Sequence, residues 1–385
     1  MPRMNYRIEV PRAGFAYVAI TLFVMIAAIN SQTNLLFIAF GAMLGGLLVS
    51  LVMSWLVLRK IEVKRLVAAH AIAGELSEVH YLVTNRKRWL ACFALNISEM
   101  DVDGKLAKSP DAFAFYIPPG GTATAMAQLL PLQRGRVTLR CVRIACTFPF
   151  GFIRQVRHVP RVAEVAVYPR VGSLNRQLAL RYREAVTSGS MTSNMRGGQD
   201  EFYGLREYRP GDNVRSIHWR RTARTGQVMV REMTSNAPPQ MTVVLNLRGR
   251  SGEGEDIVQA ERAIELAATL ICYGFFENFA VGLAIAGLPD EEMPLPIMGR
   301  EARNKLLYRL AVLDVRTVQA NIGGVKPNRL ASQSEWVVVT LSRRDEVRDI
   351  VPGNVEHTVL ALDDPESDTW VHFASGEHTR RLLHE

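Results

Sequence analysis

Cysteine is scarce in this 385-residue chain, and its four copies, Cys92, Cys141, Cys146 and Cys272, form no C-x-x-C pair and no metal-ligand spacing. That scatter excludes a disulfide framework and a zinc module, and all four are expected to be reduced, buried thiols. Also missing are a P-loop, a dinucleotide fingerprint and a nucleophile elbow. No catalytic residue, cofactor or resident metal is therefore expected. Disorder is excluded as well, because 48% hydrophobic and 22% charged residues give an ordinary globular balance, in a chain long enough for two or three domains. Acids are in deficit, and the formal net charge of +9 suits a protein beside an acidic membrane surface or one with an anionic partner.

Charge is what the N-terminal region lacks altogether. Residues 13–29, AGFAYVAITLFVMIAAI, carry none, and neither do residues 35–58, LLFIAFGAMLGGLLVSLVMSWLVL. A hydrocarbon core about 30 Å thick takes roughly 20 apolar residues, so the first run only just reaches across and the second crosses easily. Residues 1–60 thus read as a transmembrane helical hairpin with a short polar link at 30–34. Arg3, Arg7 and Arg12 precede it, Arg59, Lys60, Lys64 and Arg65 follow it, and the link has no basic residue, which places both termini and the soluble body in the cytoplasm. Gly41 and Gly45 form a G-x-x-x-G, a pattern that lets helices approach closely within the pair or in a homo-oligomer. Because the link is so short, the hairpin is expected to be a separable anchor, with residues 61–385 folding without it.

Residues 61–172 contain no long helical pattern. Short strand-like runs at 79–84, 91–97, 113–117, 123–129, 137–146 and 162–168, split by turns such as Pro118-Pro119-Gly120-Gly121, predict a small β-sandwich-like domain. In the longest run Val137, Leu139 and Cys141 share one parity and Val142, Ile144 and Cys146 the other, which predicts a β-bulge there.

Lysine is absent from residues 196–232, a stretch with eight Arg and five acids. A planar guanidinium suits bidentate pairing and stacking as an ammonium does not, so this stretch, within an Arg-rich signature segment at 173–238, is expected to be ordered around it. Four readings remain open. The arginines and carboxylates form an internal network that staples neighbouring domains. Alternatively, the Arg, Tyr and Trp side chains form a docking surface for a protein. As a third possibility the segment binds nucleic acid or anionic lipid, which the five acids disfavour for nucleic acid. The fourth is a hydrolase or metal site built from Asp200, Glu201, Asp212 and His218, although they have no known ligand spacing.

The string EFYGLREYRPGDNVRSIHWRRTARTGQVMVRE at 201–232 resembles the signature of the bacterial family catalogued as domain of unknown function 58. Its matching positions are Glu201, Phe202, Gly204, Leu205, Arg206, Tyr208, Gly211, Asp212, Arg215, Ile217, His218, Trp219, Ala223, Arg224, Val230, Arg231 and Glu232. Upstream, Phe148-Pro149-Phe150-Gly151-Phe152 is similar to the family's D-P-F-G-L turn, with Phe148 in the acidic place, and Val167-Tyr168-Pro169-Arg170 to its V-Y-P strand end.

From residue 239 to 385 strands and helices alternate. Strands are expected at 241–247, 281–285, 336–341 and 357–362, and helices near 256–276, 300–312 and 344–350, which predicts a parallel α/β sheet. Ile257, Ala260, Ile264, Ala267 and Ile271 fall on one helical stripe. The family resemblance implies that this half is similar to a von Willebrand factor A domain. Such domains often bind Mg²⁺ through D-x-S-x-S, but here the place reads Asn246-Leu247-Arg248-Gly249-Arg250. Two cations there would repel a divalent ion, so Asn246, Arg248 and Arg250 mark a degenerate site.

The expected function is a non-enzymatic, membrane-tethered cytoplasmic scaffold or adaptor in a bacterial inner membrane. The resemblance implies a MoxR-type AAA+ ATPase as partner, in envelope-related assembly. The alternatives are the anionic-lipid or nucleic-acid module and the hydrolase.

Overall fold

The computed structural model describes residues 6–68, 70–102, 106–192, 201–209, 212, 214–234, 238–247, 254–286, 288, 295–320, 335–341 and 357–373. Two compact units emerge, one of Met1–Arg170 with Tyr308–Leu313 and one of Val171–Leu307 with Asp314–Glu385.

In the first unit the elements run β1 (Tyr6–Glu9), α1 (Arg12–Ser31), α2 (Asn34–Leu58), β2 (Ile61–Val67), β3 (His70–Ile72), β4 (Ser77–Asn85), β5 (Cys92–Val102), β6 (Leu106–Lys108), β7 (Asp111–Ile117), β8 (Thr122–Pro131), β9 (Gly135–Cys146) and β10 (Arg154–Tyr168). One sheet has the order β1-β10-β9-β5-β7, with β3 parallel to the far end of β10, and the other has the order β2-β4-β8-β6. Alternation makes one face of each sheet apolar. Val79, Tyr81 and Val83 on β4, Ala125, Ala127 and Leu129 on β8, and Leu95 and Ile97 on β5 meet in a single core between the sheets. Burying each Val, Leu or Ile there contributes about 1.5–3 kcal/mol.

The parity slip in β9 has a different cause from the one its sequence suggests. Its register with β5 is continuous from Leu95↔Cys146 to Met100↔Cys141, so β9 itself carries no bulge there. The extra residue lies across the ladder, on β10 between Pro160 and Ala163. Val142 and Ile144 enter the inter-sheet core, whereas Val137 and Leu139 join a second cluster with Ala71, Ala73, Val165 and Val167. The strand changes the face it buries along its length.

Helices α1 and α2 are long and apolar enough to cross a membrane. Phe15, Phe23, Leu35 and Ile38 are exposed along them, so these are not the core helices of a globular body, whose apolar faces would be covered. Tyr17 Oη donates to the Met43 carbonyl at 3.3 Å, and it is Gly46 that faces the Tyr17 hydroxyl. Space is open where a Cβ would stand at Gly41 or Gly45, so the G-x-x-x-G does not bring α1 to α2.

The hairpin, expected to be a separable anchor, packs into the first unit at both of its ends. Val57 and Leu58 at the end of α2 are fully buried in the sandwich core, and β1 pairs with β10 from Tyr6↔Arg157 to Glu9↔Arg154. The last four carbonyls of a helix have no partner within it, and here all four are taken up. Trp55 O accepts from the Arg59 N–H, Leu56 and Val57 accept from the Lys87 ammonium, and Leu58 accepts from Arg157 Nη1 at 3.3 Å. Two cations at a helix C-terminus also complement its dipole.

The second unit contains, in chain order, β11 (Ser173–Leu174), α3 (Arg176–Thr192), β12 (Glu201–Glu207), α4 (Trp219–Thr225), β13 (Met229–Thr234), β14 (Gln240–Asn246), α5 (Gly254–Phe276), β15 (Ala280–Ile285), α6 (Arg300–Val312), α7 (Val315–Ala320), β16 (Glu335–Thr340), β17 (His357–Ala361) and β18 (Val371–His372). A wholly parallel sheet has the order β15-β14-β16-β17. Strands β15 and β16 are buried at every position, as expected of parallel strands covered on both faces. On α5 the stripe of Ala260, Ile264, Ala267 and Ile271 is fully buried. The helix expected near 344–350 lies outside the described residues. Helix α3 went unread in the Arg-rich stretch, although Leu178, Tyr182 and Val186 repeat every four residues and the Asn175 side chain accepts the Gln177 N–H at its start.

Candidate functional site

Strands β12 and β13 form an antiparallel hairpin whose long connection holds a short 3₁₀ turn, Val214–Ser216, and α4. Glu201 pairs with Thr234 and Glu207 with Met229, and one extra residue between Phe202 and Gly204 bulges β12. The hairpin stands on a small apolar base, where Ile217 bridges to Val230 and both are buried. Leu205 is half-buried and pairs with Arg231 across the hairpin.

His218 starts α4. Its ring Nδ1 accepts the Arg221 backbone N–H at 3.1 Å, and the His218 backbone N–H donates to Met229 O at 2.8 Å. Thr222 Oγ1, which motif matching passed over, accepts the Met229 N–H at 3.0 Å and fastens α4 to β13. Gly226 ends the helix in the left-handed region at φ +74. Gly after a Trp-Arg-Arg-Thr-Ala-Arg-Thr run is the stop signal that marks this helix in sequence.

An ion pair between Arg206 and Asp212 closes the connection. Arg206 donates from Nη1 and Nη2 to the two Asp212 carboxylate oxygens at 2.7 and 2.8 Å, and the Arg209 N–H adds a third bond at 2.8 Å. The Arg206 guanidinium, with help from the Arg209 N–H, pulls the Asp212 carboxyl down to about 2. A carboxylate so stabilised, with both oxygens occupied, is a poor general base. The His218 ring caps a helix. The other members of the acid and His set, Asp200 and the side chain of Glu201, lie outside the described residues, as do Gly211, the side chains of Phe202 and Glu232, and Arg248 and Arg250.

The rest of the cluster points outward. Arg209, Arg215, Arg220, Arg221, Arg224 and Arg231 are exposed, as are Tyr208, Val214 and Ala223, and Trp219 is 65% exposed. Arg220, Arg221, Arg224 and Arg231 make no ion pair among the described residues. Exposed guanidinium groups together with a bare indole have the composition of a binding surface.

Two other places bear on the site. At the C-terminal end of the parallel sheet, where the strand order reverses at β14, an α/β protein usually binds its ligand. There Asn246 is buried and its Nδ2 donates to Thr340 Oγ1 at 2.9 Å, which ties β14 to β16. A cavity of about 400 Å³ lies between α3, β17 and the segment ending at Trp370. Tyr182 lines it, with a buried hydroxyl that has no hydrogen-bond partner among the described residues. Sequence reading gave no sign of this cavity.

Residues 204–344 match a family model described as "Protein of unknown function DUF58". That stretch runs from within β12 to just beyond β16 and leaves out β17. It is similar to a family without a known activity. The chain is also 23% identical over 272 residues to the "Uncharacterized protein YeaD" of Bacillus subtilis (strain 168), an alignment covering 70% of this chain and 63% of that protein. The chain thus matches less than two thirds of that relative's length. Among solved structures, a beta-glucosidase from Listeria innocua in complex with glucose is 14% identical, with 28% of this chain and 16% of that one covered and a TM-score of 0.18. Spo0M, a sporulation control protein from Bacillus subtilis, is 16% identical, with 39% and 58% covered and a TM-score of 0.17. At such scores neither carries an argument.

Proposed function

We propose that the chain is a non-enzymatic, membrane-tethered scaffold whose β12–α4–β13 hairpin docks a partner protein, an AAA+ ATPase of the MoxR type acting in envelope-related assembly. The observation that carries this reading is the outward arrangement of the cluster. Only Arg206 is consumed by Asp212, while Trp219 and the arginines around it lie on the surface. Helices α1 and α2 serve as the tether in a bacterial inner membrane, with both termini cytoplasmic because basic residues flank the apolar runs and none lies in the link. The parallel sheet is taken as a von Willebrand factor A-like half, which its winding in both directions from β14 supports.

The test is affinity capture with the full chain in detergent from its native lysate. An AAA+ ATPase should be recovered by the native chain and lost with Trp219→Ala combined with Arg220→Glu and Arg224→Glu, at unchanged protease resistance. Recovery of no ATPase by the native chain removes the reading.

The exposed arginines favour a second reading, a polyanion such as RNA or an anionic vesicle on the same surface. Such binding falls steeply as salt rises. Salt-insensitive or absent binding removes that reading.

A further inference from the structure

We infer that the first unit is seated on the membrane surface through two loops, residues 147–153 and 86–90, which hold aromatic side chains at headgroup depth and a guanidinium against anionic phospholipid. The inference rests on α1 and α2 spanning the bilayer and is independent of the β12–α4–β13 hairpin.

Depth along the helices fixes where these loops lie. The 25 residues of α2 extend about 37 Å, and a hydrocarbon core is about 30 Å thick, so roughly the last five residues, from Ser54 on, pass its edge. Ser54 Oγ donates to the Phe148 carbonyl at 3.2 Å, which sets the 147–153 turn at that edge. From there the turn runs alongside α1. A Cβ on Gly14 would land on the Phe152 carbonyl oxygen, and the Phe152 ring stacks on Tyr17 at 3.8 Å. Tyr17 is five residues into α1, about 7.5 Å along its axis. Interfacial apolar segments occupy just such depths, about 5–10 Å into the headgroup boundary. Phe150 stacks on Phe152 at 5.7 Å and is otherwise exposed.

The 86–90 loop is fixed at the same level, because the Lys87 ammonium bonds the carbonyls of Leu56, Val57 and Arg59. Trp89 on this loop is 92% exposed. In water that leaves a whole indole uncovered, whereas at a bilayer interface its ring meets acyl chains and its N–H meets headgroups. Its neighbours are cations. Arg86 pairs with Glu62 at 3.0 Å, and Arg88 is exposed with no ion pair among the described residues. Arg59 lies over the Trp55 ring at 4.4 Å, a second Trp and Arg pair at the end of α2. Both loops are fastened to the spanning helices themselves, and a cationic aromatic rim there complements an acidic leaflet. The occupant is therefore the lipid headgroup layer.

The experiment reconstitutes the full chain into vesicles of brominated phosphatidylcholine with phosphatidylglycerol. Comparison of the native chain with Trp89→Phe isolates the Trp89 signal, which should be quenched by bromine and shielded from aqueous iodide. Arg88→Gln should weaken retention of spin-labelled phosphatidylglycerol by about fivefold, the effect of one interfacial cation. Full iodide access to Trp89 in a chain that resists alkaline carbonate extraction overturns the seat and keeps the hairpin. Extraction by carbonate overturns both. Shielding of Trp89 from bromine and iodide alike means that protein covers it, which also overturns the lipid assignment.

Discussion

Arg65 on β2 and Glu99 on β5 form a doubly hydrogen-bonded ion pair, at 2.8 and 2.6 Å, that joins the two sheets of the sandwich with side chains only 4% and 0% exposed. The pair is fully satisfied. Tyr81 Oη donates to Glu99 Oε1 at 2.7 Å, and the spare Arg65 Nη1 reaches the carbonyls of Leu139 and Arg161. The bulge at Pro160 to Ala163 contains one of those acceptors. Burial first, and then the Glu99 carboxylate, push the Tyr81 phenol well above its ordinary range, so it remains a donor at any working pH.

Removing one partner leaves a buried charge alone, which costs about 3–5 kcal/mol, whereas removing both costs less. Glu99→Ala and Arg65→Ala should each destabilise the first unit by that amount, and the Arg65→Met, Glu99→Leu double variant should recover most of it. Pulse proteolysis in a urea series, read on fragments of the first unit, measures the difference. A double variant destabilised by the sum of the two single losses would show that the pair has no such coupling.

Deleting residues 1–60 should leave an aggregating fragment. The deletion removes β1, takes Val57 and Leu58 out of the sandwich core, and strips Lys87 of its three carbonyl acceptors and Arg157 of the Leu58 carbonyl. Leu58→Ala in the full chain should cost about 2–5 kcal/mol, as for other large core side chains. A soluble, monodisperse 61–385 fragment with native protease resistance would contradict this.

Elements with a strong local pattern were legible in the sequence. The runs at 123–129 and 137–146 predicted β8 and β9, and the 300–312 helix agrees with α6 at both ends. The roles of particular residues were harder to see, because they depend on partners far away in the chain. Lys87 reads as one more basic loop residue, yet it terminates α2 some 30 positions upstream. Glu99 lies beyond the strand expected at 91–97, yet β5 continues to Val102 and carries its side chain inside. In the Arg-rich stretch, composition predicted both order and guanidinium pairing. Only the geometry separates Arg206, which is turned to Asp212, from the arginines that face outward.

Thiol chemistry follows burial. Burial pushes Cys146 up to about 11 and Cys272 up to about 12, and raises Cys92 as well, although the Lys87 ammonium at 3.1 Å opposes the shift. The thiolate is the nucleophile, so all three should resist iodoacetamide at about pH 8 in the native chain. Cys141, the half-buried one, should label first. Peptide mapping after timed alkylation gives the order, and early labelling of Cys272 would show that the second unit opens readily.

The Arg206 and Asp212 pair makes a pH prediction with a definite sign. Asp212 has a folded value near 2, below its ordinary 3.8. A depressed carboxylate contributes stability that is fully present above the unfolded value and is lost as pH falls through the folded one. The hairpin connection should therefore be insensitive to this group from about pH 5 to 8 and loosen only below about pH 4. Arg206→Lys keeps the charge but loses the two-pronged geometry, so it is not conservative here. In that variant the Asp212 carboxyl, followed by its NMR shift, should titrate closer to 3.8, and the Arg209 amide should exchange faster. An Asp212 titration that is unmoved by Arg206→Lys would mean that simple charge, and not the paired hydrogen bonds, holds the turn in place. The exposed arginines beside it would then be equally able to do so.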